Sequence, residues 1–553
     1  MLTLKQQEIP MKRIIFLLFI LVFFSSLTAQ ILSGRVLDHY SGEPIEAAMI
    51  IVDHGQQGRQ DTVYSDGDGA WFHDLASSVS DLSPRQPFSF AVSQNYPNPF
   101  NPSTVIPFQI ARAGQVTIQV FNVLGHMISE RSADLQPGNY SVRYSSQGPA
   151  GIYFYRIQSG QQVITKKMIQ LDGGGNGGLS ALSHMVSGSL PTLSKTAVQS
   201  IRIMTSSFGY VRDTLTIDEI PAQTVEILLQ TIHSHALVVD LHNDILEKVA
   251  VTPSYQLGDR HLYFHTDIPR LQEGGVDVQF FAVWVDPSQY PHTPFAVAMS
   301  YIDLLYDQAE RNPETLALAT TPAGVLSAVQ QQKIAAVIGV EGGHAIEEDL
   351  DNLIRLYDAG MRYMTITWNN STPWAISAQD RASHIIGLSD FGKTVIRTMD
   401  SLGVIIDVSH TGIKTIEDIL ATTQHPIVAT HSGARALHNH YRNLRDDQII
   451  AIANTGGVIG VVFYPPFLTK SYQNAGIREV IDHIQYIVDL VGIDHVALGS
   501  DFDGISRVPI GLEDVSDFPD LTWALLKEGY SQQEVEKILG GNFMRVFEQV
   551  CGK

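Results

Sequence analysis

Near the middle of the 553-residue chain, the run Leu237-Val-Val-Asp-Leu-His242-Asn-Asp244 ends in an imidazole and a carboxylate two positions apart. In a β-strand, side chains at i and i+2 face the same way. His242 and Asp244 could then offer a nitrogen and an oxygen to one metal ion. A single His-x-Asp is a weak signal, because chance alone supplies such a pair in a chain of this length. Matching groups at the ends of later apolar runs strengthen it: Glu341, His410, His431 and Asp501. Each alone could be a hydrogen-bonded core histidine or a helix cap. Gathered at one place they would be costly to hold without a cation, so together they predict a metal site. The only cysteine, Cys551, lies at the C-terminal edge, so the ligands must be His, Asp and Glu, with no thiolate and no disulfide framework.

The elements that must bring these groups together are legible as eight apolar runs: Leu237–Asp244, Val276–Val285, Ile334–Gly343, Tyr363–Trp368, Gly403–His410, Pro426–Ser432, Gly457–Tyr464 and His495–Gly504. Helix-length segments separate them, a texture that predicts an α/β architecture with parallel strands. Eight strands over residues 236–553 fit a (β/α)8 barrel, in which function sits at the C-terminal strand ends. A doubly wound open sheet is the alternative, although no Gly-rich phosphate loop follows the first strand.

Upstream the chain reads as several pieces. Met11-Lys-Arg13, a short apolar run Ile14–Phe24 and a small-residue stretch ending at Ala29 form a secretory signal peptide over residues 1–29. Residues 31–85 alternate short β-rich runs with turns. Gly34-Arg-Val, Gly42-Glu-Pro44 and Asp68-Gly-Ala-Trp-Phe72 resemble the first part of a carboxypeptidase regulatory-like β-sandwich. Residues 86–172 are a second β-rich unit. Its Asn95-Tyr-Pro-Asn-Pro-Phe-Asn-Pro102 string, Asn122-Val-Leu-Gly125 turn and closing Lys166-Lys-Met168 resemble the sorting domain that ends proteins exported by the type nine secretion system. Here that unit is internal, which leaves an export signal and a spacer both open. Residues 173–195 are a Gly/Ser-rich linker by composition, and residues 196–230 resemble the back half of the sandwich, with the sorting-like unit inserted into one of its loops. The net charge of −21 without a basic block argues against nucleic acid or anionic membrane as a partner.

Residues 236 to 550 resemble the membrane (renal) dipeptidase family of zinc peptidases. The resemblance rests on Asp240-Leu-His-Asn-Asp244, Thr266-Asp-Ile-Pro-Arg-Leu271, Ile338-Gly-Val-Glu-Gly-Gly-His344, Ile406-Asp-Val-Ser-His410, Thr430-His-Ser432, Arg442-Asn443, Gly499-Ser-Asp-Phe-Asp-Gly504 and Gly511-Leu-Glu-Asp-Val-Ser516. It implies two Zn2+ ions per chain, one on His242, Asp244 and Glu341 and the other on Glu341, His410 and His431, with Glu341 bridging. It further implies a bridging hydroxide as nucleophile, Asp501 as general base and acid, and Arg442 on the C-terminal carboxylate of a dipeptide. Asp407 and His344 are expected to orient ligands. Trp368 stands where the family often has a substrate-contacting histidine, and it and Tyr464 complete the expected substrate-binding set. The expected protein is an exported dipeptidase, a homodimer being one possible state, whose N-terminal β domains meet a cell surface or the secretion machinery. Another metal-dependent amidohydrolase, or a non-catalytic surface binding protein, are the alternatives.

Overall fold

The computed structural model describes residues 31–39, 41–53, 60–74, 90–92, 95, 103–123, 125–146, 151–160, 162–170, 178–179, 183–184, 201–217 and 224–552. The signal peptide and most of the Gly/Ser-rich linker lie outside the described residues.

The first strands and those just before the barrel share sheets. Ile31–Asp38 pairs in parallel with Val225–Leu229 and antiparallel with Ala70–Asp74. Facing it, Met49–Asp53 pairs antiparallel with Gln60–Tyr64 and with Ile201–Ser206, which also pairs with Asp213–Ile217. Strict alternation drives this: Val225, Ile227 and Leu229 point inward while Glu226 and Leu228 face out. The inward residues join Val36, Ile50, Val52, Trp71 and Ile203 in one core. A separate pair of sheets lies in sequence between Asp74 and Ile201, with its own core around Ile106, Ile118, Val120 and Tyr155.

From Val239 onward eight parallel strands follow in ladder order. They are β1 (Val239–Asn243), β2 (Val278–Trp284), β3 (Ile334–Glu341), β4 (Met361–Thr365), β5 (Ile405–Asp407), β6 (Ile427–Ser432), β7 (Ile459–Val461) and β8 (Val496–Leu498). A short strand, Leu316–Leu318, pairs with the start of β3 outside this order. The ring closes just past β8, where the Asp501 amide donates to the His242 carbonyl at 3.0 Å and the Asp244 amide to the Phe502 carbonyl at 2.9 Å. Every residue of β3 is buried. That is why it reads as an unbroken apolar run: a strand covered on both faces has no polar side to alternate with. Inward residues such as Val239, Val278, Phe280 and Ile405 pack with Phe543, Val546 and Phe547 of the C-terminal helix Asn542–Cys551. Polar ends are thereby confined to the opposite mouth.

The strand unit before the barrel docks on it closely. Gly209, at φ 82°, lies so near Trp523 that a Cβ there would come within 2.2 Å of the indole. The Gly209 carbonyl also accepts the Ile232 amide at 2.7 Å. Among the described residues no helix is long and apolar enough to cross a membrane.

Candidate metal centre

The strand ends deliver the predicted groups to one mouth. His242 lies within β1, whereas Asp244 sits one residue past it as the N-cap of helix Ile245–Val251. The pair still meets, with His242 Nε2 3.5 Å from Asp244 Oδ2. Glu341 ends β3 and its two oxygens face different partners. Oε2 lies 3.6 Å from His242 Nε2, while Oε1 lies 3.0 Å from His410 Nε2 and 3.5 Å from His431 Nε2. Asp501, His242 and Asp244 each offer a ligand atom within 4.8 Å of the others, and so do His242, Glu341 and His431. His410 and Asp501 both stand at φ 63°, a left-handed conformation that costs a non-glycine residue about 1–3 kcal/mol and recurs at functional sites.

Hydrogen bonds to the far side of two rings decide what their Nε2 atoms can do. The Asp407 carboxylate can only accept, so the Thr430 hydroxyl donates to it at 2.7 Å and must accept from His431 Nδ1 at 2.9 Å. Asn369 Oδ1 accepts from His410 Nδ1 at 3.0 Å. Both imidazoles therefore turn an Nε2 lone pair toward Glu341, and these two nitrogens approach to 3.1 Å. Lone pairs so placed repel unless a proton or a cation lies between them. His242 Nε2 and Asp244 Oδ1 are likewise buried with no hydrogen-bond partner. All are nitrogen and oxygen donors suited to a divalent ion such as zinc, so the residues fit a metal.

The electrostatics of the cluster carry the same message. Burial opposes protonation of His242, yet the adjoining Tyr363 hydroxyl and the Asp244 and Glu341 carboxylates hold it well above the ordinary imidazole range. Burial also opposes ionisation of Glu341, but the three surrounding imidazoles keep it well below the usual carboxylate range. Burial and the Arg442 guanidinium push His410 down to about 4, and burial with the His242 charge depresses His431. Burial and the neighbouring Asp244 carboxylate raise Asp501 well above its ordinary value.

Supporting groups extend the site. Asp240 binds Ser500 through both backbone and hydroxyl, at 2.8 and 2.7 Å, and so fixes the turn that carries Asp501. Gly504 underlies that turn: a Cβ there would lie 2.1 Å from Asp244 Oδ2 and 2.6 Å from Asp501 Oδ1. Arg442 is buried in the loop after β6, donates to the His431 carbonyl at 3.3 Å and lies over the Phe467 ring at 5.3 Å. Tyr464 follows β7, packs on Phe467 at 4.8 Å and meets Ser506 at 3.3 Å. Trp368 follows β4, with its ring 5.0 Å from Trp284 and 6.3 Å from the His410 imidazole. His344 binds the Val285 carbonyl through its Nε2 at 2.9 Å. Sequence reading missed Tyr363, whose hydroxyl meets His242 Nδ1 at 2.8 Å, and missed Thr430 and Asn369 as orienting groups. Thr430 stands next to a candidate ligand, which was its only signal.

Comparison with known proteins places the barrel in a family. The membrane dipeptidase family model (peptidase family M19) matches residues 228–552, and the secretion system C-terminal sorting domain model matches residues 94–170. Among solved structures, the dipeptidase AC, a metallopeptidase, is 28% identical with a TM-score of 0.54, covering 57% of this chain and 99% of its own. The probable dipeptidase PvdM from Pseudomonas aeruginosa is 26% identical with a TM-score of 0.54, covering 58% and 97%. A metallopeptidase from Rhodobacter sphaeroides, solved with a phosphinate mimic of the dipeptide L-Ala-D-Ala, is 27% identical with a TM-score of 0.53, covering 57% and 99%. The chain belongs to the membrane dipeptidase family, as a metallo-dipeptidase barrel that carries a secretion sorting domain upstream.

Proposed function

We propose that the protein is an exported dipeptidase that holds two zinc ions, His242, Asp244 and Glu341 binding one, Glu341, His410 and His431 the other. The observation that carries this reading is Glu341, whose two oxygens face His242 on one side and His410 and His431 on the other. The chemistry such ions supply when bound is Lewis acidity, which polarises a carbonyl and makes water a nucleophile near neutral pH. The chain's own residues do the rest. Asp501 takes the proton of the attacking water and returns it to the leaving amine. Arg442 binds the substrate's C-terminal carboxylate, a role suited to a buried guanidinium that forms no ion pair among the described residues. Trp368 and Tyr464 wall the substrate. The dipeptide mimic bound by the Rhodobacter sphaeroides protein supports a small peptide as substrate.

Export follows from the sorting domain, through the type nine system. We read residues 31–85 and 196–230 as one sandwich with the sorting unit inserted, supported by the pairing of Ile31–Asp38 with Val225–Leu229. The test combines metal analysis with a dipeptide panel. About two zinc ions per chain are expected, with activity lost on chelation, restored by zinc and abolished in His410→Ala. Full turnover in metal-free protein would refute the reading.

A further inference from the structure

Beside the metal centre lies a cavity of about 480 Å³, lined on one side by His410 and on the other by the loop after β6. Its charged lining is one-sided. Arg435, Arg442 and Arg445 contribute to it, and no Asp or Glu does. That is unexpected in a chain of net charge −21, whose own field opposes a cationic pocket. Arg445 is neutralised by Asp447, which its Nε meets at 2.8 Å. Arg435 is not: its Nε donates only to the neutral Asn439 Oδ1, at 2.9 Å, and it forms no ion pair among the described residues. Arg442 also has no ion pair among them, and its Nε is buried without a partner. The cavity therefore presents two guanidiniums that form no ion pair among the described residues, Arg442 feeling the Asp501, Glu341 and Asp407 carboxylates only at longer range.

Backbone structure holds the two in a set relation. The Arg435 amide donates to the Leu444 carbonyl at 2.7 Å and the Leu444 amide to the Gly433 carbonyl at 2.8 Å, so the segments carrying Arg435 and Arg442 run side by side. Val408, Ile413 and Leu444 add apolar lining to the same cavity, suited to methylene groups.

One guanidinium answers the single carboxylate that ends every dipeptide. A second answers a second negative charge. We propose that this cavity selects dipeptides whose C-terminal residue is aspartate or glutamate, with Arg435 binding the side-chain carboxylate. The inference rests on the dipeptidase reading above and names its substrate class. Arg435 is a specificity residue here and takes no part in bond cleavage.

The test uses the zinc-loaded full chain and near-isosteric substrate pairs, Ala-Asp against Ala-Asn and Ala-Glu against Ala-Gln. An acid-to-amide ratio in kcat/KM on the order of ten or more is expected, the worth of one charge-assisted bond. Arg435→Gln should bring the ratio close to one, and Arg435→Glu should take it below one. Because each ratio compares two substrates on one protein, general damage to the fold cancels. Thermal stabilisation of the metal-free chain gives a readout without turnover: N-acetyl-aspartate should exceed N-acetyl-asparagine, and the difference should vanish in Arg435→Gln. Hydrolysis of the amide substrates with no preference for the acids would overturn this inference and leave the dipeptidase reading intact. So would a preference that survives Arg435→Gln, or stabilisation by inorganic phosphate equal to that by N-acetyl-aspartate. No hydrolysis of any member of the panel would overturn both.

Discussion

Asp407→Asn changes one atom and should reverse a chain of hydrogen bonds. Asp407 Oδ1 accepts two backbone amides, Ser409 at 3.0 Å and Thr430 at 2.9 Å, and these donors cannot reverse. Oδ2 accepts the Thr365 hydroxyl at 2.6 Å and the Thr430 hydroxyl at 2.7 Å. An asparagine must keep its oxygen toward the amides, which puts its NH2 group against the hydroxyls. Both hydroxyls must then accept. The Thr430 hydrogen has two places left: His431 Nδ1 at 2.9 Å, or Ser409 Oγ at a poor 3.4 Å. The first converts His431 to the tautomer with its proton on Nε2, which cannot ligate a metal. The second keeps the ligand at the cost of a weak bond. Either way we expect zinc affinity to fall about 10–100-fold, or about 1.4–2.7 kcal/mol, the usual effect of losing a ligand's orienting partner. Zinc titration against a competing chromophoric chelator measures this, and the urea midpoint of the metal-free variant checks that the fold survives. Adding Thr430→Val to Asp407→Asn should cost little more, because the hydroxyl transmits the effect. Wild-type zinc affinity in Asp407→Asn, or fully additive losses in the double variant, would refute the reasoning.

Further expectations concern other parts of the molecule. Gly504→Ala should lower zinc affinity by an order of magnitude or more, because its Cβ would stand 2.1 Å from Asp244 Oδ2; metal content after dialysis reads this out. Trp368→His should change turnover of small dipeptides, upward if the histidine common in relatives was a lost oxyanion donor worth about 10²–10³ and downward if the indole has been built into the pocket. Unchanged kcat and KM would remove Trp368 from the substrate wall. Asp277, half-buried at the base of β2 and accepting the Val238 amide at 2.8 Å, is pushed up by burial to about 6. A raised carboxyl binds protons more tightly folded than unfolded, so its contribution is present at low pH and lost as pH rises through about 6. Asp277→Asn should therefore stabilise the protein at pH 7 by about 1–2 kcal/mol, with the gain vanishing near pH 4, as urea midpoints across pH would show.

The barrel was legible because its strands are buried on both faces and read as apolar runs, β3 most plainly. The gathering of the candidate ligands was legible because a barrel sends strand ends to one mouth, so position along the chain stands in for position in space. His242, Glu341 and His431 lie within strands that obey that rule. His410 and Asp501 lie three residues past their strands, and only their left-handed backbone turns them back toward the centre. No residue pattern announces that conformation where the residue is not glycine. The family resemblance implied that Glu341 bridges, and its two oxygens do face different histidines; sequence could not reveal that Asn369 and Thr430 fix which nitrogen of each ring is free. These are contacts among residues up to about a hundred positions apart, decided by packing distances below 4 Å. The cationic cavity has the same origin. Arg435 and Arg445 carry no signal in the sequence and Arg442 only that of the family resemblance; the folded loop shows that Asp447 neutralises Arg445 and that Arg435 and Arg442 form no ion pair among the described residues.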